Sequence, residues 1–410
     1  MYFFIDSTDL NFYILKNLVI FMDKIKDVND DSILCFEYFT AQGVEDLSIV
    51  SEAVEIIRSL VLELKDEDTY VLLAKQFENI FDDFDFEVKT IIIDDLCNWL
   101  EENAYVFDRA MFIAAEGDMN LYNLTKLLES KNVKVYNSDS YAVKLTSDKY
   151  ETFDYLMNRV NQPMTYNILL NPKTYWKRAI QIFFDRINGD YGDGNDDGTV
   201  PIMQKPKDIP VLDNSDRDEV KKYKLIAKPR YGVDCENLKI IESKRDIDEL
   251  EDIYPNGSRF IVQEYVPGDV CSVCLLSDGK QALPISLNKQ IVEIDENGGE
   301  YKGGYIPYEH PLKENAFEVA KKACEFIPGI KGFVGVDLVI ADDVYLIEIN
   351  SRFTTSYVGL EKIANINIAK TIINLIDGNI SVDDIPKIEY SDKVSFLKDE
   401  EGILKIQIGE

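Results

Sequence analysis

Histidine is the scarcest chemistry-bearing residue: His310 is the only one in 410 residues. A zinc site built on imidazoles and a His-based catalytic triad are both close to excluded on that count. Chemistry must run on carboxylates, lysines, arginines, hydroxyls and amides. Cysteine is also sparse, with Cys35, Cys97, Cys235, Cys271, Cys274 and Cys324 scattered through apolar runs of a chain too long to need disulfide staples. Cys271 and Cys274 form a CxxC, but "VCSVCLL" alternates like a strand and no second pair follows, so both are read as packing residues. Positive charge is lacking too. The 44 Lys and Arg face 75 Asp and Glu, leaving a formal charge of -31 with no concentrated basic patch. Such a surface repels phosphate backbones and anionic membranes, which argues against nucleic acid as a partner. No stretch supplies the roughly 18 uninterrupted apolar residues of a membrane span. The opening "MYFFIDSTDLNFYILKNLVIFM" is interrupted by Asp6, Asp9 and Lys16, unlike a signal peptide. A cytoplasmic protein is expected.

What is present is an alternation of strand and helix. The length exceeds what a single core supports, so several domains are expected. After an opening helix, "SILCFEYF", "SIVSEAVEIIRSLVLELK", "VKTIII", "LCNWLEEN", "RAMFIAAE", "NLYNLTKLLESKN" and "VKVYN" predict a parallel sheet with crossover helices over residues 1–145. Ligands of such sheets gather at the carboxyl ends of strands, here "EYFTAQG" and "AAEGD". Residues 146–270 hold a short helix and strands at "LIAKP" and "RFIVQEYV", with a Gly-, Asp- and Pro-rich insertion at about 189–222. Within it, "DGNDDG" matches the first half of a calcium loop, but its twelfth position is Gln204 and no helix follows, so calcium is set aside. Residues 271–380 predict an antiparallel sheet with helices, and 381–410 a tail or hairpin turning at "DEEG".

The most informative stretch is "VYLIEINSRFTTSYVGL", which places Glu348, Asn350 and Arg352 at alternate positions of an apolar strand, and so on one face. If "GVDLVI" pairs with it through a two-residue turn at Asp342 and Asp343, Ala341 faces Val344 and Asp337 lies opposite Glu348. Two carboxylates about 4 Å apart repel by roughly 4 kcal/mol at an effective dielectric of 20. A cation between them would relieve that, and with the Asn350 oxygen they form the hard set that Mg²⁺ prefers. The alternative is a hairpin whose acids are satisfied by Lys or Arg. Lys228 ends the strand "KLIAKP" ahead of the turn-prone "RYGVD", and Lys149 begins a helix. Both are point charges suited to phosphate, although either lysine alone is more often a surface residue.

Lys149, Lys228, "QEYVPG", Asp337 and "EIN(x)R", in this order, resemble the ATP-grasp pattern from about Ser32 to Leu375. "CFEYFTAQGVEDLSIVSEA", "LNKQ", "YKGGYIPYEHPL" and "EINSRFTTSYVGL" resemble more closely the tyramine/L-glutamate ligases of methanofuran biosynthesis, which make γ-glutamyltyramine. The resemblance implies an α/β and α+β ATP-grasp fold behind an N-terminal Rossmann-like domain. It implies an ADP-forming carboxylate–amine ligase using ATP and Mg²⁺ (or Mn²⁺), with glutamate and tyramine as small-molecule substrates and an acyl-phosphate intermediate. A homodimer is left open. By position it puts Lys149 and Lys228 on the nucleotide phosphates, and Gln263 with the backbone of Glu264 and Val266 around adenine. Asp337, Glu348 and Asn350 would hold the metal, and Lys289 and Arg352 would face the transferred phosphoryl group. Asp269 would contact the ribose in place of an acidic residue that Val270 replaces. "TTS" after Arg352, with Gly303 and Gly304, would shape the amino-acid pocket. The lid "RYGVDC" departs from the pattern in having one glycine, and Ser351 stands where a proline is usual. Rival readings are a ligase for other amino acids or peptides, and a nucleotide-binding regulator without catalysis.

Overall fold

Five short runs of Val, Ile, Leu, Phe and Ala build the first sheet of the computed structural model, which describes residues 28–171, 173, 175–188, 223–232, 237–295 and 298–409. The predicted opening helix, the insertion with its "DGNDDG", Cys235 and part of the lid lie outside the described residues. The strands are β1 (Ile33–Glu37), β2 (Thr69–Ala74), β3 (Lys89–Ile93), β4 (Arg109–Ile113) and β5 (Lys134–Val135). They lie in the order β3-β2-β1-β4-β5, all parallel. Such sheets are buried on both faces by their crossover helices, which is why β1 and β2 are buried throughout. The chain order steps outward in both directions from β1, so a crevice opens at the carboxyl ends of β1 and β4. β1 stops earlier than "SILCFEYF" predicts. Glu37 turns its carboxylate onto the N–H groups of Phe39 (3.1 Å) and Thr40 (2.8 Å), capping a helix over Tyr38–Gln42.

The short helix expected ahead of the second sheet is two, Ser140–Thr146 and Lys149–Leu156. The break falls at Asp148, whose side chain caps the second by accepting from the N–H groups of Tyr150 and Glu151. β6 (Thr165–Leu169), β7 (Leu225–Pro229), β8 (Lys239–Ile241) and β9 (Arg259–Glu264) form a four-stranded antiparallel sheet in the order β6-β9-β7-β8, with its own apolar core against the helices Trp176–Ile187 and Lys244–Ile253.

The third sheet has seven antiparallel strands: β10 (Asp269–Asp278), β11 (Ala282–Asp295), β12 (Gly298–Ile306), β13 (Lys331–Ile340), β14 (Val344–Asn350), β15 (Val394–Lys398) and β16 (Leu404–Ile408), ordered β14-β13-β10-β11-β12-β15-β16. Pro284, which can donate nothing to the ladder, sits where the β10–β11 register shifts. Cys271 and Cys274 are buried packing residues of β10, as the alternation implied. The tail does form the expected hairpin, but it is the continuation of this sheet, joined through β12 and β15. One apolar cluster runs from Ile33 and Ile57 through Tyr357 and Ile372 to Val394 and Leu404, so the first and third sheets share a core. Among the described residues no helix is long and apolar enough to cross a membrane.

Candidate active site

All three sheets line a cavity of about 560 Å³. The hairpin β13–β14 contributes Asp337, Glu348 and Asn350. Asp337 does lie opposite Glu348, though by a different route from the simple count. The turn is one residue longer, with Ile340 opposite Val344 and the Ala341 N–H donating to the Asp343 carbonyl at 2.9 Å. A bulge beside Asp337 then leaves Ile347 as the extra residue and returns Asp337 to Glu348 and Gly335 to Asn350.

The two carboxylates are held unequally. Asp337 Oδ1 accepts from Gln290 Nε2 at 2.9 Å and Oδ2 from Asn350 Nδ2 at 3.0 Å, both neutral amides. Burial, and then the charge of Glu348, push Asp337 up to about 7 against those bonds and the charge of Arg352. Burial acts the same way on Glu348, but Lys149 at 3.3 Å, Lys228 and Arg352 outweigh it and keep that carboxyl below its ordinary value. A divalent cation fits this donor set. The residues are two carboxylates and an amide oxygen, all hard ligands, and their mutual repulsion is what a cation would relieve. Among the described residues no group of three or more His, Cys, Asp or Glu forms a metal cage, so the third protein ligand would be the Asn350 amide.

Lys149 is the first residue of its helix, and its position is pinned. Its N–H donates to the Arg230 carbonyl (3.1 Å), while Arg230 Nε donates to both oxygens of the cap Asp148 at 2.7 and 2.8 Å. The Lys149 ammonium then spans from the Gly232 carbonyl (2.7 Å) to Glu348, tying the loop after β7 to the metal-type hairpin. Lys228 is buried in β7 opposite Ile261. Gln263, Glu264 and Val266 line the same cavity, with the Gln263 amide donating to Thr165 Oγ1 at 2.7 Å. The chain enters β10 through Gly268, where a Cβ would lie 2.4 Å from the Ile340 carbonyl oxygen, so only glycine permits the approach.

Arg352 lines the cavity just beyond β14. Its Nε donates to Glu116 Oε2 at 2.7 Å, and Glu116 is the buried acid of "AAEGD" at the end of β4. Lys289 and Asp269 are not brought to the cavity. Lys289 pairs with Cys271 across the ladder and donates to Asp269 Oδ1 at 2.9 Å. Asp269 also accepts from Tyr308 Oη at 2.7 Å, and that bond, then Lys289, holds its carboxyl below the ordinary value. Val270, Ser272 and Gln290 line the cavity instead. The error is one of parity: neighbouring residues of a strand face opposite ways, so a slip of one exchanges Gln290 for Lys289.

Residues that sequence reasoning missed are Gln290, Glu116, Glu37, Glu52 and Lys398. Gln290, Glu116, Glu37 and Glu52 lay inside stretches already singled out, but with no role given to them. That Glu52 and Lys398 come together had no local signal, since a helix and a terminal hairpin meet only in the folded chain.

A family described as "ATP-grasp domain" matches residues 202–356. The chain is 31% identical over 336 residues to the tyramine–L-glutamate ligase of Methanocaldococcus fervens, covering 80% of this chain and 89% of that one. It is 30% identical over 349 residues to the same enzyme of Methanocaldococcus jannaschii, covering 83% and 88%. Among solved structures, an ATP-grasp superfamily protein from Archaeoglobus fulgidus superposes with a TM-score of 0.60 at 23% identity, covering 92% of this chain and 99% of that one.

Proposed function

We propose, for a chain that belongs to the ATP-grasp ligases and within them to the family of the tyramine–L-glutamate ligases, that its cavity joins a carboxylate of L-glutamate to the amine of tyramine with release of ADP and phosphate. The observation that carries the site assignment is Asp337 opposite Glu348, with Lys149 on Glu348, in a cavity lined by all three sheets.

In this reading Gln263 and the backbone of Glu264 and Val266 border the adenine, as strand-end residues with both apolar and hydrogen-bonding groups suit a flat heterocycle. Lys149 and Lys228 take the phosphates, exchanging part of their present partnership with Glu348 for the nucleotide's oxygens. Asp337, Glu348 and Asn350 would hold Mg²⁺ or Mn²⁺, which when bound supplies charge neutralisation at the phosphate oxygens. Arg352, anchored through Nε by Glu116 and donating from Nη1 to the Phe353 carbonyl, brings its positive charge to the carboxylate that is to be phosphorylated. That carboxylate's oxygen attacks the γ-phosphorus and ADP leaves. The amine nitrogen then attacks the acyl carbon, phosphate departs with the bonding pair, and the amine gives up a proton. No protein nucleophile is required, and the residues act by positioning and by offsetting charge.

Incubation with ATP, Mg²⁺, L-glutamate and tyramine should give ADP and an amide of the summed mass less water. Absence of ADP with every amino acid and amine tried would overturn the ligase assignment of this site, and nucleotide binding without turnover would point to a regulator. Gln at position 348 is the matching control, because it removes a proposed metal ligand without changing size.

A further inference from the structure

The chain passes from the first sheet to the second through Asp148, and the two lysines assigned to phosphate belong to separate elements. Lys149 opens a helix, and Lys228 lies near the end of β7. A pair of buried charges with no part in the chemistry joins those elements. The side chains of Arg230 and Asp148 are 9% and 5% exposed. Asp148 Oδ1 accepts from the N–H groups of Tyr150 and Glu151, both at 3.1 Å, and from Arg230 Nε at 2.7 Å. Its Oδ2 takes Arg230 Nε at 2.8 Å, Arg230 Nη2 at 2.6 Å and the Tyr231 hydroxyl at 2.6 Å. Arg230 Nη2 also reaches Glu151 Oε1 at 2.9 Å, and the guanidinium stands 5.6 and 5.9 Å from the ring centres of Tyr150 and Tyr231.

The backbone repeats the connection. The Arg230 carbonyl accepts from the Lys149 N–H at 3.1 Å, and two residues on the Gly232 carbonyl accepts from the Lys149 ammonium at 2.7 Å. Burying two charges costs hydration that their attraction offsets only in part, so net stability is a weak reason to keep such a pair. What a planar guanidinium on a carboxylate supplies is one fixed orientation. Here it fixes the first turn of the Lys149 helix against the end of β7, and so sets Lys149 relative to Lys228. Neither Asp148 nor Arg230 lines the cavity, and any effect on a ligand there has to pass through a neighbour that does.

We infer that Asp148 and Arg230 are positioning residues that hold the Lys149 ammonium in place for the phosphates of a nucleotide before it arrives. This rests on the reading of Lys149 as a phosphate ligand and adds the device that aims it. Tyr231, whose hydroxyl completes the Asp148 shell from a side chain 45% exposed, belongs to the same device in a lesser role.

Removing one partner alone would leave an unpaired buried charge, so the test combines Asp148→Ser with Arg230→Met, which deletes both charges and keeps a helix-capping oxygen. The full-length protein is titrated calorimetrically with ADP and with adenosine, in the presence of Mg²⁺. The paired variant should bind ADP about 10- to 100-fold more weakly, the range of one lost charged hydrogen bond, and adenosine as the wild type does. In a Lys149→Met background the same pair of substitutions should change ADP affinity by no more than about twofold, because nothing is left to position. A brace of the fold gives neither result. Equal losses for ADP and adenosine, an unchanged ADP affinity, or a loss that persists without Lys149 would overturn the proposal. Tyr231→Phe should show the same pattern at about threefold. Should the paired variant not fold, this one decides, and wild-type ADP affinity in it refutes the role. Lys149→Met binding ADP as tightly as the wild type would remove the phosphate assignment itself. A weakened Lys149→Met beside an unaffected paired variant removes only the positioning role. ADP release by the wild type with glutamate and tyramine, measured in parallel, keeps the ligase reading separate from both.

Discussion

Within the seven-stranded sheet, β13–β14 and β10–β11 are both antiparallel pairs carrying charge on apolar strands, yet they use it in opposite ways. β13–β14 turns Asp337 and Glu348 inward, where burial and mutual repulsion leave one carboxyl raised to about 7 and the other held down by lysines. β10–β11 turns Lys289 and Asp269 away from the cavity, where they satisfy each other and Tyr308. The first pair is left in electrostatic tension that a ligand can relieve, and the second is already neutral. Unsatisfied charge, more than charge itself, separates the candidate site from its surroundings.

The largest effect should follow from Glu348→Gln, which removes one acid of the strained pair. Turnover should fall by about 10²–10³ or more, while the melting temperature changes little, because the relief of Asp337 is set against the loss of the Lys149 ion pair. A melting temperature that collapsed would put Glu348 among structural residues and dissolve the contrast. Next is Lys149→Met, expected to raise the KM for ATP by roughly 10- to 100-fold, with initial rates over an ATP series as the measurement. The sharpest comparison is between neighbours. Gln290→Ala, which strips Asp337 Oδ1 of its donor, should lower kcat/KM by about tenfold. Lys289→Met should cost less than about 1 kcal/mol in urea unfolding and leave kcat/KM within roughly threefold, since its partner Asp269 is 41% exposed. If the two variants exchanged effects, the strand parity described here would be refuted.

The smallest effect is a pH dependence away from the cavity. Glu63 is pushed up to about 7 by burial, in spite of the bonds it accepts from the N–H groups of Ala369 and Ile368 and from Tyr357. Because its folded-state value exceeds the unfolded one, the folded protein binds the extra proton. The associated stability is full below about 4.5 and is lost as pH rises through about 7. Glu63→Gln should flatten the melting-temperature profile across that window, and an unchanged slope would count against the burial of this group. Glu63 thus provides a second comparison, a buried acid with structural bonds beside one left waiting for a ligand.

Much of the site could be read from the chain because it rests on local rules. Alternation put Glu348 and Asn350 on one face, and the hairpin brought Asp337 across from Glu348. That pairing survived an error in the turn, since the added turn residue was offset by a bulge in the partner strand. Nothing local offsets an error of parity at "LNKQ", where strand propensity is blind to which face is the cavity and either Lys289 or Gln290 fits the pattern. Gly303 and Gly304 were singled out as pocket-shaping. Their geometry is that of a close strand crossing that brings Lys398 to the cavity wall.

By itself, the sequence determined the classes of chemistry open to the protein, the parallel sheet followed by antiparallel ones, and the acid-bearing hairpin. These follow from composition and from periods of two and 3.6 residues, which act over a few residues at a time. Only the tertiary structure decided that Arg352 is anchored by Glu116, that Lys149 reaches Glu348, and that Lys398 of the last hairpin meets Glu52 of a helix more than three hundred residues earlier. Those pairings depend on where whole sheets come to rest against a shared core, and apolar packing specifies that position without leaving any mark on the charged residues it brings together.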